Sequence, residues 1–237
     1  MSSWIDPQTL LRGRTLSLEP LAPAHAHALV AAAGDGELWR LWYTSVPSLE
    51  SIAGYIDTAL AQARVGLALP FVVRLQDTGE IVGSTRYCNV DARNRRLEIG
   101  YTWYAKRVQR SAVNTECKLL LLQHAFETLE TIAVEFRTHW MNRASRAAIA
   151  RLGAKQDGVL RNHQRLADGS YRDTVVFSII ESEWPGVKRH LQSALDSHDL
   201  YSGSSAVGAT SVVSDSSAAA SVAGGSRSSS SASALDR

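Results

Sequence analysis

Residues Leu97–Glu116 read LEIGYTWYAKRVQRSAVNTE, and this stretch decides the fold. Its first eight residues alternate apolar and polar like a strand. A short basic loop follows, and then the start of a helix. The free backbone N–H groups at such a helix start favour an anion, so a strand feeding this loop forms a phosphate cradle. The pattern points to a phosphate-bearing cofactor.

Working outward, the polar run Asp91–Asn94 is a turn that joins this strand to Ile81–Val90, and Asp77-Thr78-Gly79-Glu80 joins that one in turn to Pro70–Leu75. The three strands form an antiparallel meander. Upstream, Thr15–Glu19 alternates before Pro20, and Pro23–Ala33 and Leu49–Val65 carry helix formers or apolar residues at helical spacing. Downstream, a helix is predicted from Ser111 to Leu129, a β-branched strand at Ile132–His139, and a short helix at Asn142–Leu152 between a capping Asn and Gly153. Val159–Gln164 and Tyr171–Ile180 flank the hairpin signal Asp168-Gly169, and a last helix is expected near Val187–Leu195. This order predicts an α+β, α/β/α sandwich with a largely antiparallel sheet and helices on both faces.

The chain has 237 residues, and from about Ser202 it is almost wholly Ser, Ala, Gly and Val. Such a composition cannot bury enough apolar surface to offset the entropy of ordering. Residues 1–195 are therefore read as one domain and residues 196–237 as a disordered Ser/Ala-rich tail. A net charge of +2 and a pI near 8.6 are too mild to argue for nucleic acid, despite the local cluster Arg93, Arg95, Arg96, Lys106, Arg107 and Arg110. No apolar run has the length of a membrane span, and the first residues lack the pattern of a signal peptide, so a cytoplasmic location is expected. The two cysteines, Cys88 and Cys117, have no metal-like spacing, and no HExxH or Cys/His cluster occurs, so no metal is expected.

Four segments, Leu-x-Gly-Arg-Thr-Leu-Ser-Leu-Glu-Pro-Leu (11–21), DTGEIVGS (77–84), LEIGYTW (97–103) and NRASRAAIARLGA (142–154), occur in an order that resembles the GCN5-related N-acetyltransferase (GNAT) superfamily. In detail the resemblance is to its RimJ/RimL-type branch, which acetylates the N-termini of ribosomal proteins. It covers roughly Leu11 to Lys188. It implies a sheet of about seven strands whose fourth and fifth members diverge in a V, with pantetheine lying in the gap. It also implies acetyl-CoA as co-substrate and a primary amine as acceptor, either a protein N-terminal α-amine or a small amine. Homodimers are common in the family.

Members hold the pyrophosphate through a [QR]-x-x-G-x-[GA] loop. Here the loop is Arg107-Val108-Gln109-Arg110-Ser111-Ala112, with Arg110 in place of the glycine. A Cβ narrows the conformations open to that position, although a guanidinium adds a charge-assisted contact to phosphate. The amides of Ser111, Ala112, Val113 and Asn114 lie at the helix start. Tyr101, Thr102 and Trp103 lie in the strand whose backbone the family uses to polarise the thioester carbonyl.

Strict period-2 geometry puts Glu98, Gly100 and Thr102 on one face of that strand and Leu97, Ile99, Tyr101 and Trp103 on the other. A carboxylate in mid-strand needs either a partner or a role. Glu98 is accordingly read as a general base, or else as the partner of Arg96, Arg86 or another arginine. Asn142 and Ser145 are ordinary capping types at a helix start. The resemblance adds Asn142 as a pantetheine contact and Ser145 as the acid that protonates the leaving thiolate, with Tyr104 and Tyr171 as substitutes. Substrate pockets in the family come from segments that here contain Trp39, Trp42, Tyr43, Arg161 and His163. The alternative class is a catalytically inactive acyl-CoA-binding or interaction module, which Arg110 would favour.

Overall fold

A computed structural model describes residues 4–166 and 168–204, with side chains up to residue 198. The elements are β1 (Leu11–Arg12), β2 (Leu16–Pro20), α1 (Ala26–Gly34), α2 (Ile52–Arg64), β3 (Leu69–Leu75), β4 (Ile81–Asp91), β5 (Arg96–Tyr104), α3 (Val113–Gln123), β6 (Ala133–His139), α4 (Arg143–Arg151), β7 (Lys155–Arg165), β8 (Tyr171–Ile180) and α5 (Trp184–Ser204). The sheet order is β1-β2-β3-β4-β5-β6-β8-β7. The two-residue strand β1 makes eight strands among the described residues, where the sequence led us to expect about seven. Helix α5 also runs further than expected, and the rest of the tail lies outside the described residues. Among these, no helix is long and apolar enough to cross a membrane.

Two apolar clusters sandwich the sheet. On one face Leu18, Phe71, Leu97, Ile99, Val134, Phe136, Val175 and Phe177 pack against α3, α4 and α5. On the other, Val72, Ile81 and Trp103 pack against Leu29 and Ala33 of α1 and Ile56 and Ala59 of α2. This second cluster stops at β5. Past it, the same face of β6 and β8 carries Glu135, Arg137 and Ser178 in place of core residues.

All neighbouring strands are antiparallel except β5 and β6, which run parallel and pair only over Arg96–Glu98 against Ala133–Glu135. Beyond Glu98 they part, giving the expected V. The β4–β5 ladder pairs Arg86 with Gly100 but Ser84 with Trp103, so Tyr101 and Thr102 share one step: a β-bulge. Tyr101 takes a left-handed backbone (φ 51°) to make it.

The bulge overturns the alternation expected of this strand. Trp103 belongs to the α1/α2 cluster, whereas Leu97 and Ile99 belong to the opposite one. Thr102 faces α3, where its hydroxyl meets Lys118 Nζ at 2.6 Å. One extra residue exchanges the faces of everything after it, which a period of two cannot foresee.

Helix α3 is clamped to the first hairpin by Glu116, which is only 4% exposed. Its carboxylate accepts from the Thr15 amide at 3.0 Å, and also from the Arg14 amide and the Thr15 hydroxyl. Gly13 is required beside it, since a Cβ there would strike Glu116 Oε1. Hydrogen bonds to a buried charge are worth about 1.5–3 kcal/mol each, and removing the acceptor strands the donors. Glu116→Ala is therefore expected to lower stability by about 3 kcal/mol, read as an earlier midpoint in urea denaturation.

Candidate active site

The V between β5 and β6 opens into a groove of about 940 Å³. One end is the loop before α3. There Val108, Gln109, Arg110, Ser111 and Asn114 line the groove. Gln109 Nε2 donates to the Tyr104 carbonyl at 2.9 Å, and the Ser111 hydroxyl donates to the Val108 carbonyl at 2.6 Å, which ties the loop into a fixed curl. Arg110 has φ 63°, the left-handed region that glycine tolerates most easily. The arginine thus retains a glycine-like backbone. The amides of Arg110, Ser111, Ala112 and Asn114 find no acceptor among the described residues. They are unspent donors at a helix N-terminus, the physical basis of phosphate binding.

Three residues expected in this cradle, Arg107, Ala112 and Val113, do not line the groove. The Arg107 guanidinium is held by Asp35 at 3.0 Å and Glu80 at 2.5 Å, and Arg107 does not line the groove. Hydrogen bonds from Arg107 hold the Asp35 carboxyl below its ordinary range. This arginine fastens the loop to the end of α1 and to the β3–β4 turn. Val113 packs into the core, and its amide is spent on the Ser111 hydroxyl at 3.3 Å.

Glu98 stands where the strands part. It is 7% exposed, and its Oε2 accepts from Asn89 Nδ2 at 2.7 Å, with Arg137 Nε at 3.5 Å. Burial raises its pKa, and the Asn89 hydrogen bond and Arg137 charge oppose that rise. Neither Arg96 nor Arg86 pairs with it. Gly100 leaves space for the carboxylate, because a Cβ there would sit 3.0 Å from Glu98 Oε1.

On the other side of β5, Lys118 is buried, and burial pushes its pKa down to about 8. Its ammonium meets the Thr102 hydroxyl, which lies 2.7 Å from that of Thr85. The chain of polar groups pins the bulge to β4 and α3. At the far wall, Asn142 caps α4, its Oδ1 accepting from the Ser145 amide at 3.0 Å. Both residues line the groove, and the Ser145 hydroxyl makes no hydrogen bond among the described residues.

Of the other candidates, Tyr43 and His163 line the groove, whereas Trp39, Trp42 and Arg161 do not. Arg161 is paired with Asp173 at 2.6 Å. Tyr171 is 63% exposed and lies outside the groove. Tyr104 lines it but is buried, and burial raises its pKa well above the usual phenol value.

The structure adds Asn89, Lys118, Arg137, His139 and Arg172. His139 Nδ1 accepts from the Met141 amide at 3.0 Å, which places the proton of the neutral ring on the buried, unpartnered Nε2. Arg172 Nε is likewise buried without a partner. Only Lys118 left a signal in the sequence: it follows Asn114 by four residues, on the same helix face. The others depend on which strands become neighbours.

The family model described as an acetyltransferase (GNAT) domain matches residues 15–155. The chain belongs to this acetyltransferase domain family. Among solved structures, a GCN5-related N-acetyltransferase from Brucella melitensis is 28% identical with a TM-score of 0.70, covering 79% of this chain and 86% of that one. RimJ of Mycobacterium smegmatis, in complex with CoA-disulfide, is 25% identical with a TM-score of 0.65, covering 78% and 93%. The Bacillus subtilis protein named "Putative ribosomal N-acetyltransferase YdaF" is 34% identical over 110 residues. That match takes in 46% of this chain and 59% of the relative's length. The last two of these relatives carry names of the RimJ/RimL type.

Since a left-handed backbone costs a side-chain-bearing residue about 1–2 kcal/mol, part of it offset by the entropy glycine loses on folding, Arg110→Gly is expected to stabilise the fold by about 0.5–1 kcal/mol. Urea denaturation reads this directly. An unchanged or earlier midpoint would mean that the Arg110 side chain contributes more than its backbone costs.

Proposed function

We propose that this protein transfers the acetyl group of acetyl-CoA to a primary amine, a protein N-terminal α-amine or a small amine, by direct attack in a ternary complex. One observation carries the reading: a single groove has unspent helix-start amides at one end and a buried carboxylate of raised pKa where the strands separate. The residues fit the co-substrate, whose pyrophosphate would lie on the amides of Arg110, Ser111, Ala112 and Asn114. Beyond Glu98, β5 has no ladder partner on its β6 side, so an extended pantetheine arm can take that place.

Acetyl-CoA supplies the thioester. The chain's residues do the rest. Glu98 takes the proton that the acceptor nitrogen must lose to become a nucleophile, directly or through one water. Backbone N–H groups of the bulged stretch Tyr101–Trp103 are fixed before the reaction and face the charge that develops on the carbonyl oxygen. Asn142 orients the arm, and the free Ser145 hydroxyl gives its proton to the departing sulfur. The acceptor enters from the face of β6 and β8 that carries Arg137, His139 and Arg172.

The test is calorimetric titration with acetyl-CoA, followed by thiol release with a panel of amines and N-terminal peptides. Binding and release are expected, and Glu98→Gln should lower kcat by about 100-fold or more with acetyl-CoA affinity retained. Binding without release on any amine would favour the inactive acyl-CoA-binding module.

The pH dependence has a definite sign. Burial raises the Glu98 pKa and the base must be ionised, so kcat/KM should fall on the acid side at a pH above the ordinary carboxylate range. The Asn89 hydrogen bond favours the ionised form, so Asn89→Ala should move that acid limb further up in pH. A limb that stays put, or moves down, would show that Glu98 does not set it.

A further inference from the structure

Behind Tyr101 a second cavity, of about 360 Å³, lies between the segment 45–51 and α2. Ser45, Val46 and Tyr101 line both it and the groove, so the two spaces meet. Arg86 reaches into this cavity and is 2% exposed. Its guanidinium carbon lies 3.9 Å from the Tyr101 ring centre and 5.0 Å from that of Tyr55. One nitrogen reaches Gln62 Oε1 at 3.5 Å, and Nε has no partner. Among the described residues, no carboxylate forms an ion pair with it.

A guanidinium stays protonated at any working pH, and a buried charge without a counter-ion is strongly unfavourable. Aromatic faces attract the cation but cannot accept its in-plane N–H groups as an oxyanion does. The site is therefore short of one negative charge. It is short of one rather than two: a single guanidinium and the neutral hydroxyl-bearing residues Ser45, Ser51 and Thr58 match a carboxylate better than a phosphate dianion.

Register links this cavity to the reaction centre. Arg86 stands opposite Gly100 and Cys88 opposite Glu98, so Arg86 and Glu98 are diagonal neighbours on one face of the sheet. Diagonal neighbours of this kind lie about 7–8 Å apart, and their Cβ atoms somewhat less. In an extended peptide, at about 3.3 Å per residue, the first and third side chains are separated by nearly the same distance.

We propose that Arg86 sets acceptor specificity by binding a carboxylate of the amine substrate, so that the preferred acceptor is a peptide N-terminus with an acidic side chain at its third residue. This rests on the acetyl-transfer reading above. With the α-amine at Glu98, the acidic side chain passes Tyr101 and closes on the Arg86 guanidinium.

The test uses two peptides that differ only by Glu or Gln at the third position, with thiol release followed at saturating acetyl-CoA. The wild-type KM is expected to be at least tenfold lower for the acidic peptide, with similar kcat for both. Arg86→Met should bring the KM ratio to near one, and Arg86→Lys should restore part of it. Thr58→Glu, at an exposed helix position on the cavity wall, should also collapse the ratio by supplying an internal carboxylate, and it carries the test if Arg86→Met does not fold. Equal KM values in the wild type overturn the proposal, as does tighter use of a phosphoserine peptide than of the glutamate one. If no amine releases thiol, the transferase reading fails separately, and the same pair is titrated by calorimetry against the CoA-bound protein. Tighter binding of the acidic peptide, lost in Arg86→Met, then supports the anion site. Equal binding, or none, overturns it.

Discussion

The separation of β5 from β6 after three paired residues is the constraint on which the rest of the molecule depends. A sheet normally satisfies its backbone groups by continuing the ladder, and here the ladder stops in the middle of the domain. The bulge at Tyr101 adds a residue to β5, bends it and increases its twist. The strand then closes on β4 and drifts from β6. What remains is a gap edged by strand backbone.

Keeping such a gap open requires its walls to be held from outside. The Lys118–Thr102–Thr85 chain pins the bulge from the α3 side. Trp103 anchors the following residue in the α1/α2 cluster, its indole N–H reaching the Tyr55 hydroxyl at 3.4 Å. Arg107 ties the loop before α3 to Asp35 and Glu80. Each of these contacts lies beside the groove and fixes its shape without obstructing it.

The same burial acts in opposite directions on two ionisable groups. It raises Glu98 and lowers Lys118, favouring the neutral form of each, and β5 separates them onto its two faces. Glu98 thus sits in a setting where its proton affinity is already increased. Arg137 and Asn89 restrain that increase and keep the carboxylate oriented.

Much of this architecture was legible in the sequence, because the signals are local. Alternation marked the strands, Asp-Gly and Asp-Thr-Gly marked hairpins, and Asn142 with Gly153 bracketed α4. The order of four motifs then pointed to the family, and Gln109, Arg110, Ser111, Asn114, Asn142 and Ser145 do line one groove. Tertiary structure alone decided the rest. The bulge exchanged the faces of Thr102 and Trp103, the loop arginine Arg107 was drawn to carboxylates distant in sequence, and Asn89, His139, Arg172 and Arg86 acquired their places from strand neighbours. Hydrogen-bonding propensity and hydrophobic period are properties of a segment, whereas register and the pairing of buried charges are properties of two segments brought together, and no single stretch of sequence contains both.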